Sequence, residues 1–258
     1  MKDILLIIPI LASFLIVLFL MPIWIRKAKQ IGLMWNDMNK LKKEKVAGSG
    51  GIVVLCSFVI SVFIFVAYRT FYFNDTSYLI EIISLISVVL LAAGVGLVDD
   101  LFGWQHGGLS RRSRLIMIAI AAIPLMAMNA GRHTMSIPFL GVVDFGILYP
   151  LILIPLGIVG ATTTFNFLAG MNGLEAGQGA IILSALSLTA LLTGNSWLAV
   201  INLCMVISLL AFLFYNFVPA KVFPGDVMTY AVGSLIAISA ILGNFEKIAI
   251  FFFIPYIL

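Results

Sequence analysis

The side chains best suited to chemistry lie in a polar, glycine-rich stretch between two apolar segments. Residues 166–179 read NFLAGMNGLEAGQG, with two asparagines, a glutamate, a glutamine and four glycines. The backbone groups of such a break would find no partner in lipid, so the stretch should line an aqueous surface or a protein-enclosed cavity. When this stretch is considered by itself, the alternative interpretation is a simple connecting loop.

Three aspartates place further carboxylates at the ends of apolar segments. Asp99 and Asp100 are adjacent in GLVDDLFGW, and Asp226 follows the turn-forming residues FPG. Adjacent carboxylates repel each other, and an acidic pair at a helix C-terminus opposes the helix dipole. We therefore expect a positive group nearby, either a metal ion or an arginine of the segment GGLSRRSR (107–114). There are structural alternatives to a functional site. Water could solvate Asp99 and Asp100 at the helix end, and Asp226 could be an ordinary acidic residue in the first turn of a helix.

Basic residues accompany these acids in two segments. Ser110 is placed to cap a helix, and Arg114 would lie one turn into it, where a basic side chain can face phosphate. Anchoring at the membrane surface explains the arginines equally well. The first polar loop, residues 26–50, is rich in lysine and can attract anionic lipid. Before its glycine-rich end it carries three further candidates for ligand contact: Asp37, Asn39 and Lys40.

The composition indicates how these residues must be positioned. Hydrophobic residues make up 62% of the chain and charged residues 10%, and the mean hydropathy is +1.18. The 15 Lys+Arg and 11 Asp+Glu could not cover the surface of a soluble protein of this size. Apolar segments long enough to cross a bilayer recur along the chain. We predict an all-α, polytopic integral membrane protein with a single transmembrane domain over residues 1–258.

The hydropathy pattern predicts about nine transmembrane helices. They are expected near residues 3–25, 51–69, 79–98, 114–128, 146–165, 179–193, 198–217, 227–243 and from 248 onward. Residues 1–25 are not expected to be a cleaved signal peptide, because their apolar run is too long and has no small-residue cleavage pattern. Residues 134–145 favour a short surface hairpin. Cys56 and Cys204 lie in apolar spans without metal-site or disulfide spacing, and we expect both to be small buried hydrophobic residues.

The distribution of charge predicts the orientation in the membrane. The polar loops 26–50, 99–113, 166–178 and 218–226 lie on one side. With Arg114, they carry eleven of the lysines and arginines, whereas the other side carries four. An excess of Lys and Arg marks the cytoplasmic side. The N-terminus is therefore predicted outside, and the polar clusters are predicted on the cytoplasmic face.

The four polar loops together favour phosphate chemistry at the membrane surface. Carboxylate and carboxamide oxygens suit a hard cation, and Mg²⁺ usually binds through one or two carboxylates plus substrate phosphates. Nearby basic residues would stabilise the charge of a phosphoryl group during its transfer. A site at the lipid boundary could therefore join a water-soluble nucleotide to a lipid phosphate.

These segments resemble the polyprenyl-phosphate N-acetylhexosamine-1-phosphate transferases, specifically the eukaryotic and archaeal UDP-GlcNAc:dolichyl-phosphate branch. The matching segments are DMNK (37–40), GLVDD (96–100), FNFLAGMNGLEAGQ (165–178), VFPGD (222–226) and ILGNFEKIAIFFFIP (241–255). The resemblance implies transfer of GlcNAc-1-phosphate from UDP-GlcNAc to a dolichyl or other polyprenyl phosphate, with release of UMP. This reaction is the first step of lipid-linked oligosaccharide assembly for N-glycosylation. The resemblance also implies dependence on Mg²⁺ (or Mn²⁺), a homodimer, and a location in the archaeal cell membrane or the endoplasmic reticulum.

The resemblance also implies roles for individual residues. Asn166 and Asp226 would hold the metal ion. Asp99 or Asp100 would engage or activate the lipid phosphate, and Arg114 would contact phosphate. Substrate-binding residues are expected at Gly170, Asn172, Phe223, Asn39, Lys40 and Glu175, of which the first three would take the uridine.

The sequence departs from the family pattern in several places. Arg114 stands where the family usually has lysine, Thr163 stands where an asparagine is expected, and Ala47-Gly48 replaces a Pro-Glu pair. The family has a further cytoplasmic loop with a His/Arg-rich motif, and this chain stops at Leu258, inside the ninth predicted span. We therefore expect the chain to be a fragment that binds uridine nucleotide weakly and transfers sugar phosphate poorly.

A transporter or channel for an anionic or phosphorylated solute is the alternative from another functional class. Transporter sites lie near the bilayer midplane and are often built from internal repeats. This sequence shows no convincing repeat, and its polar groups collect on one face of the membrane. A structural scaffold would not explain the paired acids. Nucleic-acid binding is disfavoured because the basic residues follow the membrane loops and form no basic face on a soluble domain.

Overall fold

The protein is mostly helical, as the composition predicts. A computed structural model describes residues 7–38, 44–131, 133–137, 141–167 and 169–254. Within them, helices α1 to α10 span Ile7–Ile31, Gly51–Ala67, Leu79–His106, Arg111–Ala121, Ile123–Ala127, Ile154–Phe167, Leu174–Leu192, Ser196–Asn216, Gly225–Gly243 and Glu246–Phe253. Single π-helical turns, Tyr68–Tyr72 and Tyr149–Leu153, extend the end of α2 and the start of α6.

Seven helices in the described ranges are long and apolar enough to cross a bilayer: α1, α2, α3, α6, α7, α8 and α9. This finding confirms a polytopic membrane protein, but the predicted count of nine is not confirmed. The span expected near 114–128 is divided between α4 and α5, of 11 and 5 residues. Pro124 explains the break, because proline lacks the N–H that would continue the helix. The ninth expected span begins with α10, and residues 255–258 lie outside the described ranges.

Helix α9 lies at the centre of the bundle. Its side chains are buried along nearly the whole helix, and it packs closely against α3 and α6. Glycine permits the closest approach: a Cβ at Gly96 of α3 would lie 2.4 Å from the backbone oxygen of Asp226. This packing places the last turns of α3 directly against the first turn of α9. The aspartates singled out in the sequence lie at this contact.

Two small hairpins correct the all-α prediction. Strands β1 (Met34–Asn36) and β2 (Lys45–Ala47) pair antiparallel, as do β3 (Thr134–Ile137) and β4 (Gly141–Asp144). The second hairpin confirms the one predicted around 134–145. The first was not predicted, because its strands have three residues each and depend on a distant partner. That partner is Val222, which forms a parallel bridge with Ala47.

Two local expectations were wrong. The predicted third span ended near residue 98, but α3 continues to His106, so Asp99 and Asp100 lie more than one turn before the helix C-terminus. The dipole at that end therefore acts on them less strongly than expected, because its effect falls off within the last turn. Cys204 is buried as expected, but Cys56 is exposed on the surface of α2. An apolar helix at the edge of a bundle can present a small hydrophobic residue to lipid.

Candidate active site

The segments that precede α2 and α9 are hydrogen-bonded to each other. The backbone N–H of Phe223 donates to the carbonyl of Ala47, and the N–H of Gly50 donates to the carbonyl of Phe223, each at 2.8 Å. The N–H of Gly51 donates to the carbonyl of Pro224 at the same distance. The first and fourth polar loops therefore meet at one end of the bundle.

The glycine-rich stretch is fixed to both of these loops. The side chain of Asn216, which is fully buried, accepts a hydrogen bond from the N–H of Gly173 and donates one to the carbonyl of Val222, each at 2.9 Å. The Asn172 side chain donates to the Asp37 carboxylate at 3.0 Å. These bonds confirm that the predicted polar loops come together.

Asp100 joins α3 to the first and fourth loops. Its Oδ2 accepts a hydrogen bond from the Ser49 hydroxyl at 2.9 Å, and its Oδ1 accepts one from the backbone N–H of Asp226 at 2.8 Å. Gly225 has a left-handed φ of +71°, and a Cβ there would lie 2.2 Å from Oδ2 of Asp100. This position therefore requires glycine both for its backbone conformation and for the space the carboxylate occupies.

Asp99 faces a different partner. Its Oδ2 lies 2.7 Å from Nε of Arg114, and its Oδ1 accepts a hydrogen bond from the N–H of Leu109 at 2.7 Å. Ser110 caps α4 by accepting a hydrogen bond from the N–H of Ser113, as expected, and this cap places Arg114 in the first helical turn. The positive group predicted beside the acidic pair is therefore an arginine. The other two arginines of this segment, Arg111 and Arg112, are exposed.

The carboxyl group of Asp226 completes a cluster of three acids. It lies close enough to Asp99, Asp100 and Arg114 for their charges to act on it. Tyr230, one turn further along α9, lies near the same group of charges. Three carboxyl groups with one guanidinium leave an excess of negative charge, which a cation or protons must offset in a partly buried site.

Asn166 lies beside this cluster at the end of α6. Its Oδ1 accepts a hydrogen bond from the Thr229 hydroxyl at 2.9 Å, and Thr229 is one helical turn beyond Asp226 on α9. The two expected metal ligands are therefore brought to neighbouring positions. Within the described residues, however, no three His, Cys, Asp or Glu side chains form a set that could hold a metal ion.

A cavity of about 360 Å³ opens beside Asp100 and Asp226. The polar stretch forms another part of its wall. The expected site residues that line the cavity are Asp100, Gly170, Asn172, Glu175, Phe223 and Asp226. Asp99, Arg114 and Asn166 are not lining residues; they lie next to the cavity through their contacts with Asp226 and Thr229. Asn39 and Lys40 lie outside the described residues.

Sequence reasoning missed Ser49, Asn216 and Thr229, whose hydrogen bonds build the site, and Trp35, which lines the cavity. Ser49 had a weak signal, since it lies in the glycine-rich end of the first polar loop. Thr229 could have been found from its spacing, because it stands three residues after Asp226 on the same helix. Asn216 ends an apolar span, and no local pattern distinguishes it from an ordinary helix terminus.

Comparison with known proteins agrees with this arrangement. Residues 82–244 match the family described as glycosyl transferase family 4. A Saccharolobus solfataricus protein, provisionally named a UDP-N-acetylglucosamine–dolichyl-phosphate N-acetylglucosaminephosphotransferase, is 36% identical over 100% of this chain and 77% of its own length. The Dictyostelium discoideum enzyme of that name is 31% identical over 89% of this chain and 64% of its own length.

A bacterial relative named for a different substrate shows the breadth of the group. The phospho-N-acetylmuramoyl-pentapeptide-transferase of Halalkalibacterium halodurans is 30% identical over 97% of this chain and 78% of its own length. The family match includes α3, α4 and α9, which carry the acidic cluster and its arginine. The relatives also cover most of the chain at 30% identity or more. The chain belongs to glycosyl transferase family 4.

Proposed function

We propose that the protein transfers GlcNAc-1-phosphate from UDP-GlcNAc to a dolichyl or other polyprenyl phosphate and releases UMP. This reaction would begin the assembly of the lipid-linked oligosaccharide used for N-glycosylation. The observation that carries the proposal is the cluster of three aspartates and one arginine beside a cavity, at one end of membrane-length helices. Family membership and the names of the relatives support the same reaction.

The proposed reaction is a phosphoryl transfer between two phosphates. An oxygen of the lipid phosphate forms a bond to the β-phosphorus of UDP-GlcNAc. The bond from that phosphorus to the bridging oxygen breaks, and UMP leaves with this oxygen. The transition state is loose, so the protein contributes mainly positioning and charge stabilisation. A phosphate monoester has a second pKa of about 6, so the lipid phosphate needs little help from a general base.

Arg114 and Asp99 form the pair best placed to act on phosphate. Asp99 engages Nε of the guanidinium, and a guanidinium has further N–H donors that match phosphate oxygens. We assign Arg114 to phosphate binding and Asp99 to its orientation. Both oxygens of Asp100 already accept hydrogen bonds, so we assign Asp100 to holding the loops around the site.

The oxygen donors near Asp226 fit Mg²⁺. The carboxylate of Asp226 and the carboxamide oxygen of Asn166 are hard ligands. Thr229 orients the Asn166 oxygen, which keeps a second lone pair for a cation. When bound, Mg²⁺ would offset negative charge on the diphosphate. Because these two residues supply only part of a coordination shell, substrate oxygens and water would provide the remainder.

We infer that the site faces the cytoplasm, in an archaeal cell membrane or the endoplasmic reticulum. The excess of lysine and arginine in the loops on this side supports that orientation. A homodimer, which the resemblance implies, would be detected from the mass of the protein in detergent. Transport of an anionic solute finds no support in the comparisons, and the acidic cluster lies at helix ends, away from the middle of a span.

The test is release of UMP by the purified protein in detergent. UDP-GlcNAc, Mg²⁺ and a short polyprenyl phosphate are supplied, and omission of the lipid should stop the release. Asp226→Ala should abolish turnover and weaken Mg²⁺-dependent nucleotide binding, since it removes a proposed ligand. Glu81→Gln, in the first turn of α3 at its opposite end, is the matched control and should behave as the unaltered protein.

Two results would contradict the proposal. Release of UMP that is equally fast without the lipid phosphate would indicate hydrolysis. A normal dependence on Mg²⁺ in Asp226→Ala would discard the metal assignment while leaving the transfer reaction in place.

A further inference from the structure

A second cavity lies at the end of the bundle opposite the acidic cluster, and the proposed transfer reaction does not use it. Its volume is about 290 Å³. It opens beside the first turn of α3, roughly 27 Å along this helix from Asp99 at about 1.5 Å per residue. Six of its lining side chains carry polar or aromatic groups: Tyr78, Glu81, Asn129, Asn195, Trp197 and Asn244.

The lining of this cavity presents both hydrogen-bond donors and acceptors. Each of the three asparagine carboxamides carries an NH₂ donor and a carbonyl acceptor, whereas the Glu81 carboxylate only accepts. Backbone groups add to both sets, because α3 and α8 begin at the cavity and α5 and α9 end there. An anion needs donors only, and a metal ion needs acceptors only. A hydroxyl group uses both, so the lining fits a ligand with several hydroxyl groups.

Charge and size narrow the class of ligand further. Glu81 is the one charged side chain among the described lining residues, and its negative charge disfavours phosphate and other anions. At about 30 Å³ per water molecule, the cavity has room for roughly ten waters, and therefore for a sugar ring of about a dozen non-hydrogen atoms. A bare metal ion would leave most of this volume to solvent.

Two aromatic side chains give the cavity an apolar wall. The rings of Tyr78 and Trp197 are stacked, with centroids 5.1 Å apart and planes inclined by 13°. Tyr78 has a left-handed φ of +61°, which is an outlier for a bulky residue. Strained conformations of this kind are concentrated at ligand sites, where the surrounding structure holds them. The wall offers apolar surface to the C–H groups of a sugar ring.

We propose that this cavity binds a sugar ring at the end of the bundle opposite the acidic cluster. The ring has two sources with the same chemistry, the headgroup of a membrane glycolipid and a soluble glycoside. The inference does not depend on the proposed function, because no residue of the acidic cluster lines this cavity.

The test measures binding of methyl glycosides to the purified protein in a detergent without a sugar headgroup. Methyl glycosides of glucose, galactose, mannose and N-acetylglucosamine are added in turn, and Tm is followed. At least one should raise Tm in a saturable manner, as a ligand of the folded state does. UMP should not displace it, since the two cavities are far apart. The corresponding octyl glycoside distinguishes the sources: tighter binding of the octyl form indicates a glycolipid headgroup, and equal binding indicates a soluble sugar.

A variant of Asn195 tests the contact with the sugar. This side chain donates one N–H to the Thr193 hydroxyl, which leaves its second N–H and its carbonyl oxygen for a ligand. Asn195→Ala should lower the affinity for the glycoside about three- to tenfold, the effect of losing one neutral hydrogen bond. Ser196→Ala is the matched control and should not change the affinity, because Ser196 is exposed and does not line the cavity.

Three results would overturn the inference. The first is the absence of saturable binding by every glycoside, which would leave a cavity that holds water only. The second is an unchanged affinity in Asn195→Ala. The third is a rise in Tm with Ca²⁺ alone that Asn195→Ala removes, which would identify a cation site.

A photoreactive glycoside locates the site in the unaltered protein and covers the case in which the variant does not fold. A diazirine derivative of the bound glycoside should label peptides that contain Tyr78, Asn129 or Asn195. Labelling confined to peptides around Asp226 would place the sugar in the candidate active site. That result would overturn the inference, whereas the proposed function would stand.

Discussion

At the scale of single residues, the two adjacent aspartates have separate environments. Successive helical residues point about 100° apart, as 3.6 residues per turn require. Asp99 therefore meets Arg114 from α4, while Asp100 meets Ser49 and the backbone of Asp226. The resemblance implied one role, at the lipid phosphate, for either Asp99 or Asp100, but the helix directs the two side chains to different partners.

This division predicts different consequences for Asp99→Asn and Asp100→Asn. Asp99→Asn removes the charge that orients Arg114, so we expect kcat to fall roughly 100-fold, as when one transition-state contact is lost, with little change in Tm. Asp100→Asn leaves one donor without an acceptor, so we expect a lower Tm and a loss of about 1–3 kcal/mol of stability. Turnover and thermal unfolding in detergent are measured for both variants.

Ser49→Ala is the matched control for Asp100→Asn, since it removes only the hydroxyl donor to the same carboxylate. Its effect on Tm should be in the same direction and smaller. If neither aspartate variant lowers turnover by more than a few-fold, the pair is structural.

The sequence was informative where partners are close along the chain. The cap by Ser110 and an arginine beside the acidic pair both involve residues on consecutive elements; the cap is confirmed, and the expected positive group is Arg114, which meets Asp99. Ser49 and Asp100 are 51 positions apart, so no local pattern connects them. Asn216 was missed for the same reason, since its role depends on how the loops fold over each other.

At the scale of elements, Gly225 controls how α9 begins. Gly225→Ala should destabilise the protein by more than about 1 kcal/mol, because alanine is strained at positive φ. The added Cβ would also displace the Asp100 carboxylate, so turnover should fall as well. Gly94→Ala in α3 is the matched control, since its Cβ would meet nothing within 4 Å. A Tm for Gly225→Ala equal to that of Gly94→Ala would contradict the proposed strain.

The length of the apolar segments predicted most of the long helices, but it did not predict the residues at which they end. The apolar composition of residues 114–128 predicted one span, but Pro124 divides the segment between α4 and α5. The β1–β2 hairpin was missed because strands of three residues have almost no periodicity to recognise. Its pairing is completed by Val222 from a remote loop. A proline within the segment decided the first outcome, and a tertiary contact decided the second.

At the scale of the whole molecule, charge bias predicts the orientation of the bundle. Cysteine at Lys221, which is exposed beside the candidate site, should react with an impermeant thiol reagent only from the cytoplasmic side. Cysteine at Asn74, exposed in the connection before α3, should react only from outside. Both are introduced after Cys56 and Cys204 are replaced, because Cys56 is itself exposed. Labelling of the Lys221 position from outside would reverse the predicted topology.

The ion pair between Asp99 and Arg114 also affects how the protein is made. Helices α3 and α4 leave the ribosome early, whereas Asp226 follows Asp100 by 126 positions. A lone charge in a bilayer costs roughly 2.5–3.5 kcal/mol at the centre of a span, and a neighbouring opposite charge reduces that cost. Arg114 can therefore shield Asp99 during membrane insertion, before α9 exists. The cluster of three acids is complete only when α9, which carries Asp226, has been synthesised.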